Sequence, residues 1–386
     1  MISIHYLSKE KIIVEDQSAK DILERGHIGE QRKAKPTRLS IFEALYLVDV
    51  RNAKIHYKGT ELSFNEVAGN FWKEKKFMAK YLTYKDWRDR GLIIKTPDTK
   101  YRTPHSNPIK EYPSKKLRLH RYHFSGTFFM TDLVTVINQT AKAKEIYESL
   151  WLGQYGSYKA SDRGNLNKLD VYETMFLIEN GMLRLTNINK KKLIEELKSR
   201  HSHFSLLYSV YKDWRQNGYV VKTGFKFGTH FRIYFPGAKP FKAENGDWVH
   251  SRHVVHVFPR SSRLLISEWA RAIRVAHSVR KTFILAFPGK KSSRKTELDF
   301  ILYHRKNGDS ENPKEDPPRY AMLSLGEEEF IGGAELASAI KEAKRRKIDL
   351  IIAIADRETA VTYYKIKQIK LKESNAEYYE IDWIQP

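Results

Sequence analysis

The chain has no cysteine among its 386 residues, which excludes disulfides, thiol catalysis and zinc held by thiolates. It has no apolar run approaching the ~18 residues of a membrane-spanning helix, and its mean hydropathy is −0.58. Acidic residues are few, 46 against 69 basic ones, leaving a net charge of +23 and a pI near 9.7. Such an imbalance calls for a polyanionic partner, nucleic acid or an anionic membrane surface, and the low hydropathy makes the membrane the weaker choice. The opening stretch MISIHYLSKEKIIVEDQ carries acids early and lacks the apolar core of a secretion signal, so a cytoplasmic location is expected. At this length one ordinary core does not suffice, and two to four domains are expected. Aromatic residues make up 12% of the chain, enough to build cores and to stack on bases.

Internal repeats organise the rest. YKDWRDRGLIIKT at 84–96 returns as YKDWRQNGYVVKT at 211–223, and only the second copy runs on into GFKFGTHFRIY. Upstream, LSIFEALYLV and LDVYETMFLI each open with a capping-box pattern, Ser40 with Glu43 and Asp170 with Glu173, and continue as amphipathic helices. A second duplication aligns 272–287 with 339–354 without gaps, each a basic helix running into a buried strand. The predicted fold class is α+β: duplicated small helical/sheet N-terminal-type domains plus duplicated α/β domains with mixed, nuclease-like sheets. The expected divisions are a degenerate N-terminal-type domain over 1–135 and a second one over 136–223. An α/β catalytic domain over 224–305 and a Pro-rich linker over 306–318 follow, then a non-catalytic α/β domain over 319–386.

The segment that follows only the second YKDWR carries the chemistry. Cutting RNA without a metal needs a base for the 2′-hydroxyl, an acid for the departing 5′-oxygen and a fixed cation for the phosphorane. Tyr234, His250 and Lys281 fit those jobs. Histidine suits the acid, lysine the electrostatic role, and tyrosine the base if nearby cations depress its pKa. Among 14 histidines, His253 and His256 rival His250. Arg274 lies seven residues before Lys281, on the same face of a continuous helix.

YKDWRQNGYVVKTGFKFGTHFRIY, HSRHVV and RVAHSVRKTFILA together resemble the archaeal tRNA-splicing endonuclease family, in its fused, multi-unit homodimeric form. The resemblance implies a tRNA-intron lyase that cuts precursor tRNA at a bulge-helix-bulge, needs no metal or cofactor, and leaves a 2′,3′-cyclic phosphate and a 5′-hydroxyl. It implies a catalytic triad of Tyr234 as general base, His250 as general acid and Lys281 as transition-state stabiliser. It also implies a base clamp containing Arg274, with Arg294 as candidate second member and Arg280 as a further RNA contact. The glycine- and tyrosine-rich loop at 153–165 adds Lys159 as an RNA-binding candidate. Homodimers would form through an acidic docking loop bearing Asp356 and Glu358. The interval FPGAKPFKAENGDW between Tyr234 and His250 reads as a loop insertion. The first YKDWR copy has no FRIY strand after it, with Asn107 at the tyrosine's place, and reads as scaffold. In the second α/β copy Ile348 stands for Lys281 and Lys341 for Arg274, so that copy is expected to be inert. Two rivals remain: a non-catalytic RNA-binding subunit, and a metal-dependent restriction-like nuclease using Glu297 and Asp299.

Overall fold

The computed structural model describes residues 2–31, 35–105, 107–119, 122–138, 140–289, 296–306 and 308–386. In chain order, the elements that build and position the site begin with helices α1 (Ile41–Arg51) and α2 (Phe77–Asp89) and strands β1 (Ile94–Lys95) and β2 (Lys110–Glu111). Helices α3 (Thr140–Leu150), α4 (Val171–Glu179), α5 (Lys190–Arg200) and α6 (Phe204–Gln216) come next. They lead into strands β3 (Val220–Thr223), β4 (Phe231–Tyr234) and β5 (His253–Val257), helix α7 (Ile266–Ser278) and strand β6 (Thr282–Phe287). The remainder is β7 (Phe300–Leu302), a small hairpin of β8 (Arg305–Lys306) and β9 (Asp309–Ser310), β10 (Tyr320–Gly326), helix α8 (Gly333–Arg345), β11 (Asp349–Ala355), β12 (Val361–Lys370) and β13 (Glu377–Ile384). Among the described residues no helix is long and apolar enough to cross a membrane.

The expected helix starts form as the sequence dictates. Ser40 and Asp170 both close full capping boxes, with Glu43 and Glu173 returning to the cap backbone. Each glutamate is buried and does further work: it accepts from a glycine amide, Gly29 or Gly153 at 2.8 and 2.9 Å, and faces a strand lysine, Lys95 or Lys222. The two small helical domains are thus wired alike, and each carries its own five-stranded sheet.

One mixed eleven-stranded sheet runs through the rest, in the order β3-β4-β5-β6-β13-β12-β11-β10-β7-β1, with β2 added beside β12. The order reads as two equivalent sets of five related by a pseudo-twofold axis between Ile366 of β12 and Ile381 of β13, which pair with each other. Helices α7 and α8 cover one face over a single apolar core. The opposite face is divided, α1 and α2 covering the β7, β10 and β11 side and α4 and α6 covering the β4, β5 and β6 side. All-round burial explains the unbroken apolar runs FILAF and LIIAIA.

The two halves are interlaced along the chain. β7 does not follow its neighbour β6 into the sheet but pairs with β10 and β1 of the other half. Register then puts Leu302 against Ile94, and the Tyr303 amide donates to the Ile93 carbonyl at 2.9 Å. Ile233 and Tyr234 hold the same positions against Val221 and Val220. FILY is therefore the counterpart of FRIY, and the strand missing after the first YKDWR is supplied from about 200 residues downstream. Asn107 does not take the tyrosine's place; its amide donates to Asp349 at 3.3 Å. Conversely β13 fills, beside β6, the position that β12 fills beside β11. The structure thus divides the sheet across the 224–305 and 319–386 boundaries, because strand pairing rather than chain continuity decides membership. Residues 308–318, within the expected linker over 306–318, are not an open linker either: Glu311 is buried, binding Arg319 and the His304 amide. Nor is the stretch between Tyr234 and His253 an insertion relative to the other half, since 303–320 spans nearly the same length.

YKDWR locks this exchange in place. Trp87 and Trp214 are fully buried. Asp86 accepts from the Tyr363 hydroxyl of β12 at 2.6 Å. Its equivalent Asp213 accepts from the Tyr378 hydroxyl of β13 at 2.9 Å and from the Asn375 and Ala376 amides. The motif recurs because each half needs an acid to anchor its fifth strand.

Candidate active site

Strand β4 alternates: Phe231 and Ile233 enter the core beneath α4 and α6, and Arg232 and Tyr234 face the other way. β5 runs antiparallel to β4 and parallel to β6, so the end of β4 lies beside the starts of both neighbours. His250 lies just ahead of β5, and Lys281 immediately precedes β6. The Arg252 amide donates to the Ile233 carbonyl at 2.9 Å and the Thr282 amide to the Arg252 carbonyl at 3.1 Å. Lys281 Nζ donates to the Ser251 carbonyl at 2.6 Å. Tyr234, His250 and Lys281 therefore stand at neighbouring strand ends, on one end of the sheet.

Their electrostatics differ. The Tyr234 ring is buried, its centre 4.7 Å from that of Trp151. Burial raises its pKa above the ordinary phenol value, with Arg232 pulling down and Tyr158 pushing up. Arg232 lies 5.7 Å from the centre of that ring. Lys281 is pushed below the usual ammonium value by desolvation and then by Arg232 and Arg252; its Nζ stands 5.3 Å from the Phe227 ring centre. His250 is exposed in a cavity of about 440 Å³ whose wall includes Phe235, Trp248 and Arg252. Its two rivals are core rings. His253 is buried against Tyr112, Trp214 and Phe235, and burial holds its pKa at about 4. His256 packs on His230 and Phe283, with its pKa at about 3 for the same reason.

The loop carrying Lys159 reaches this site. Lys159 adopts φ +60°, and its Nζ lies 5.2 Å from the Trp248 ring centre, on the wall of the His250 cavity. Lys226 stacks 5.4 Å from the Tyr158 ring centre beside it. Sequence reasoning missed Arg232 and Arg252; strand alternation in FRIY places Arg232 on the face of Tyr234 and was the available signal. Among the described residues no carboxylate pairs with Tyr234, His250 or Lys281. An imidazole open to solvent, a sequestered phenol and clustered cations suit proton transfer on a polyanion.

Other expected residues lie elsewhere. Helix α7 ends at Ser278, and the chain leaves it through Arg280 at φ +54°. Arg274 and Lys281 therefore do not share one continuous helical face. Arg274 stands beside Tyr364 of β12, where its charge lowers that phenol's pKa against the larger effect of burial. Arg280 is exposed at the helix exit. Arg294 falls outside the described residues. Asp356 Oδ1 accepts from the Glu358 and Ala360 amides, both at 2.9 Å, stabilising its own turn, and Glu358 is exposed. Asp299 is bound to Lys80 of α2 at 3.0 Å in the Tyr303 half, away from the Tyr234 end of the sheet, and Glu297 is exposed.

Comparison with known proteins bears on the same segments. Residues 204–297 match the catalytic C-terminal domain of tRNA intron endonucleases, and residues 4–68 match their N-terminal domain. A tRNA-splicing endonuclease of Hyperthermus butylicus is 32% identical over 182 residues, which is 45% of this chain and 94% of that protein. The chain belongs to the tRNA intron endonuclease family. The Methanopyrus kandleri member is 40% identical over 134 residues, 33% of this chain and 70% of its own. The Methanococcoides burtonii member aligns over 72% of this chain and 93% of its own length at 26% identity. Within the family match to the catalytic domain lie Tyr234, His250 and Lys281, whereas β7 and β13 lie beyond it.

Proposed function

We propose that this protein is a tRNA-splicing endoribonuclease that cuts precursor tRNA at the bulge-helix-bulge of its exon-intron junctions without a metal. The observation that supports the reading is the position of Tyr234, His250 and Lys281 at neighbouring ends of three adjacent strands. In this reading Tyr234 takes the proton of the 2′-hydroxyl at the cut, and that oxygen attacks the adjacent phosphorus. Lys281, turning from the Ser251 carbonyl, stabilises the phosphorane together with Arg232 and Arg252. His250, open to the cavity, protonates the leaving 5′-oxygen. The products are a 2′,3′-cyclic phosphate and a 5′-hydroxyl.

One chain offers one such site. By register the Tyr303 half carries Tyr303, Pro317 and Ile348 at the equivalent positions, and neither proline nor isoleucine moves a proton or stabilises an anion. Two cuts per intron then call for a homodimer, docked through the turn bearing Asp356 and Glu358. Arg274, beside Tyr364, and Arg280, at the exit of α7, offer exposed cations to the substrate, and Lys159 presents a cation and the neighbouring Tyr158 ring at the cavity mouth. The domain divisions that fit this reading are an inert half assembled from residues before β2 and from 300–370, and a catalytic half assembled from 122–287 and 377–384.

The test is incubation of the purified protein with an intron-containing precursor tRNA in excess EDTA, with analysis of product ends. Cyclic phosphate and 5′-hydroxyl ends are expected. Cleavage abolished by EDTA overturns the metal-free reading, and binding without cleavage favours a non-catalytic RNA-binding subunit.

A further inference from the structure

After β2, residues 112–119 run as a strap along the Tyr234 half. Its backbone is held closely. The Tyr112 hydroxyl donates to Glu380 at 2.5 Å, the Tyr219 hydroxyl to the Pro113 carbonyl at 2.6 Å, and the Lys115 amide to the Asn217 carbonyl at 3.0 Å. Gly218 leaves no room for a side chain, since a Cβ there would sit 2.2 Å from the Lys115 carbonyl oxygen. Yet the three cationic side chains that follow, Lys115, Lys116 and Arg118, are exposed, and among the described residues no carboxylate pairs with them.

These cations wall a trough of about 850 Å³ that no carboxylate lines. Its floor includes Val220, the strand partner of Tyr234, and its far rim is Gly237, Ala238 and Lys239, a few residues beyond Tyr234. Lys239 is fixed across the end of α3, donating to the Glu148 and Ser149 carbonyls. The trough therefore opens directly beside the candidate active site, on the side of Tyr234 away from His253.

The other half shows what the same place looks like without such a trough. The turn at Arg90 and Gly91, equivalent to Asn217 and Gly218, is covered by the β8–β9 hairpin: Arg305 donates to the Arg90 carbonyl and Ser310 to the Gly91 carbonyl. There the neighbouring cations are matched by acids, Lys306 with Asp316 and Arg319 with Glu311. Unmatched cations on a rigid strap occur in the half that has the catalytic side chains.

We infer that this strap holds the phosphodiester backbone of the RNA strand flanking the cut, fixing its register across Tyr234. Residues 115–118 extended span roughly 10 Å, enough for two or three consecutive phosphates. The inference rests on the endonuclease reading for which RNA enters, but not for the prediction that RNA binds here.

The experiment is a salt titration of binding to precursor tRNA, and cleavage at saturation, for a triple variant Lys115→Gln, Lys116→Gln, Arg118→Gln. A control triple on α5, Lys190→Gln, Lys191→Gln, Lys192→Gln, removes the same charge from other exposed positions. The strap variant is expected to flatten the log K against log salt slope by about 2 and to lose affinity on the order of 100-fold at 0.1 M salt. Its cleavage rate at saturation also falls, because the strand is no longer held in register across Tyr234, and the control changes little. A strap variant with the wild-type slope, or equal losses in both triples, overturns the inference. If the wild-type protein binds but does not cut, while the strap variant still loses slope, the reaction assignment fails and the trough stands.

Discussion

Lys281 tests the assignment of the reacting groups. Replacing Lys281 with Ala is expected to slow cleavage at both splice sites by roughly 10²–10³-fold, as loss of a fixed transition-state donor does. Binding should barely change, because one cation among many phosphate contacts is a small share of affinity. Ile348→Ala, at the equivalent position, should leave the rate unaltered; near-wild-type cleavage by Lys281→Ala removes the lysine from the mechanism. Tyr234 makes a prediction in pH. Because burial raises its pKa, a base role makes the rate climb with pH through neutrality and beyond the ordinary phenol value. Lys281, with a lowered pKa, works against that climb once it loses its proton. Tyr234→Phe should flatten the alkaline climb, and a climb that survives the substitution assigns the base elsewhere. At this scale the sequence was informative where spacing was local. FRIY, HS and RK stand at or next to strand ends, and strand pairing sets those ends side by side. The Arg274 and Lys281 relation was not legible, because no residue near 279 announces that the helix stops there and Arg280 turns left-handed.

Elements behaved differently. Capped helices and buried strands were legible from Ser40, Asp170 and the apolar runs, because those signals are properties of neighbouring residues. Strand membership was not. FILY is separated from the YKDWR copy it completes by most of the chain, and nothing in FILY itself names its partner; only register against Ile93 and Ile94 does. The β11–β12 turn gives the element-scale prediction. Asp356 stabilises the turn internally, so reversing it damages the loop as well as any docking. Glu358→Lys alone avoids that ambiguity. It should shift the protein from dimer to monomer in light scattering and suppress cleavage, while circular dichroism stays unchanged. A Glu358→Lys dimer of wild-type stability takes this turn out of the assembly.

For the whole molecule, three neutral histidines, His253 and His256 in β5 and His230 just before β4, make stability depend on pH. Burial lowers His230 and His253 to about 4 and His256 to about 3, below the ~6.5 they recover on unfolding. The folded state is therefore fully stable above about pH 6.5 and loses stability as pH falls toward 4, since the unfolded chain takes up those protons first. His253 alone corresponds to about 3 kcal/mol by pH 4. Chemical denaturation at pH 7 and pH 4.5 should show this loss, and His253→Phe should reduce it; equal stability at the two values removes the histidines as its cause. The interlaced sheet has a consequence for synthesis. A ribosome delivers Tyr234, His250 and Lys281 long before it delivers β13, whose Tyr378 must reach Asp213 to finish the sheet around them. Until residues 377–384 emerge, strands β3–β6 hold Tyr234, His250 and Lys281 beside an open strand edge at β6, an invitation to pair with another nascent chain. Ending translation at residue 376 should give an aggregating, inactive product, and supplying 377–384 as a separate peptide during synthesis should reduce aggregation and restore cleavage. Completion of the sheet around Tyr234, His250 and Lys281 thus waits for the strand at 377–384.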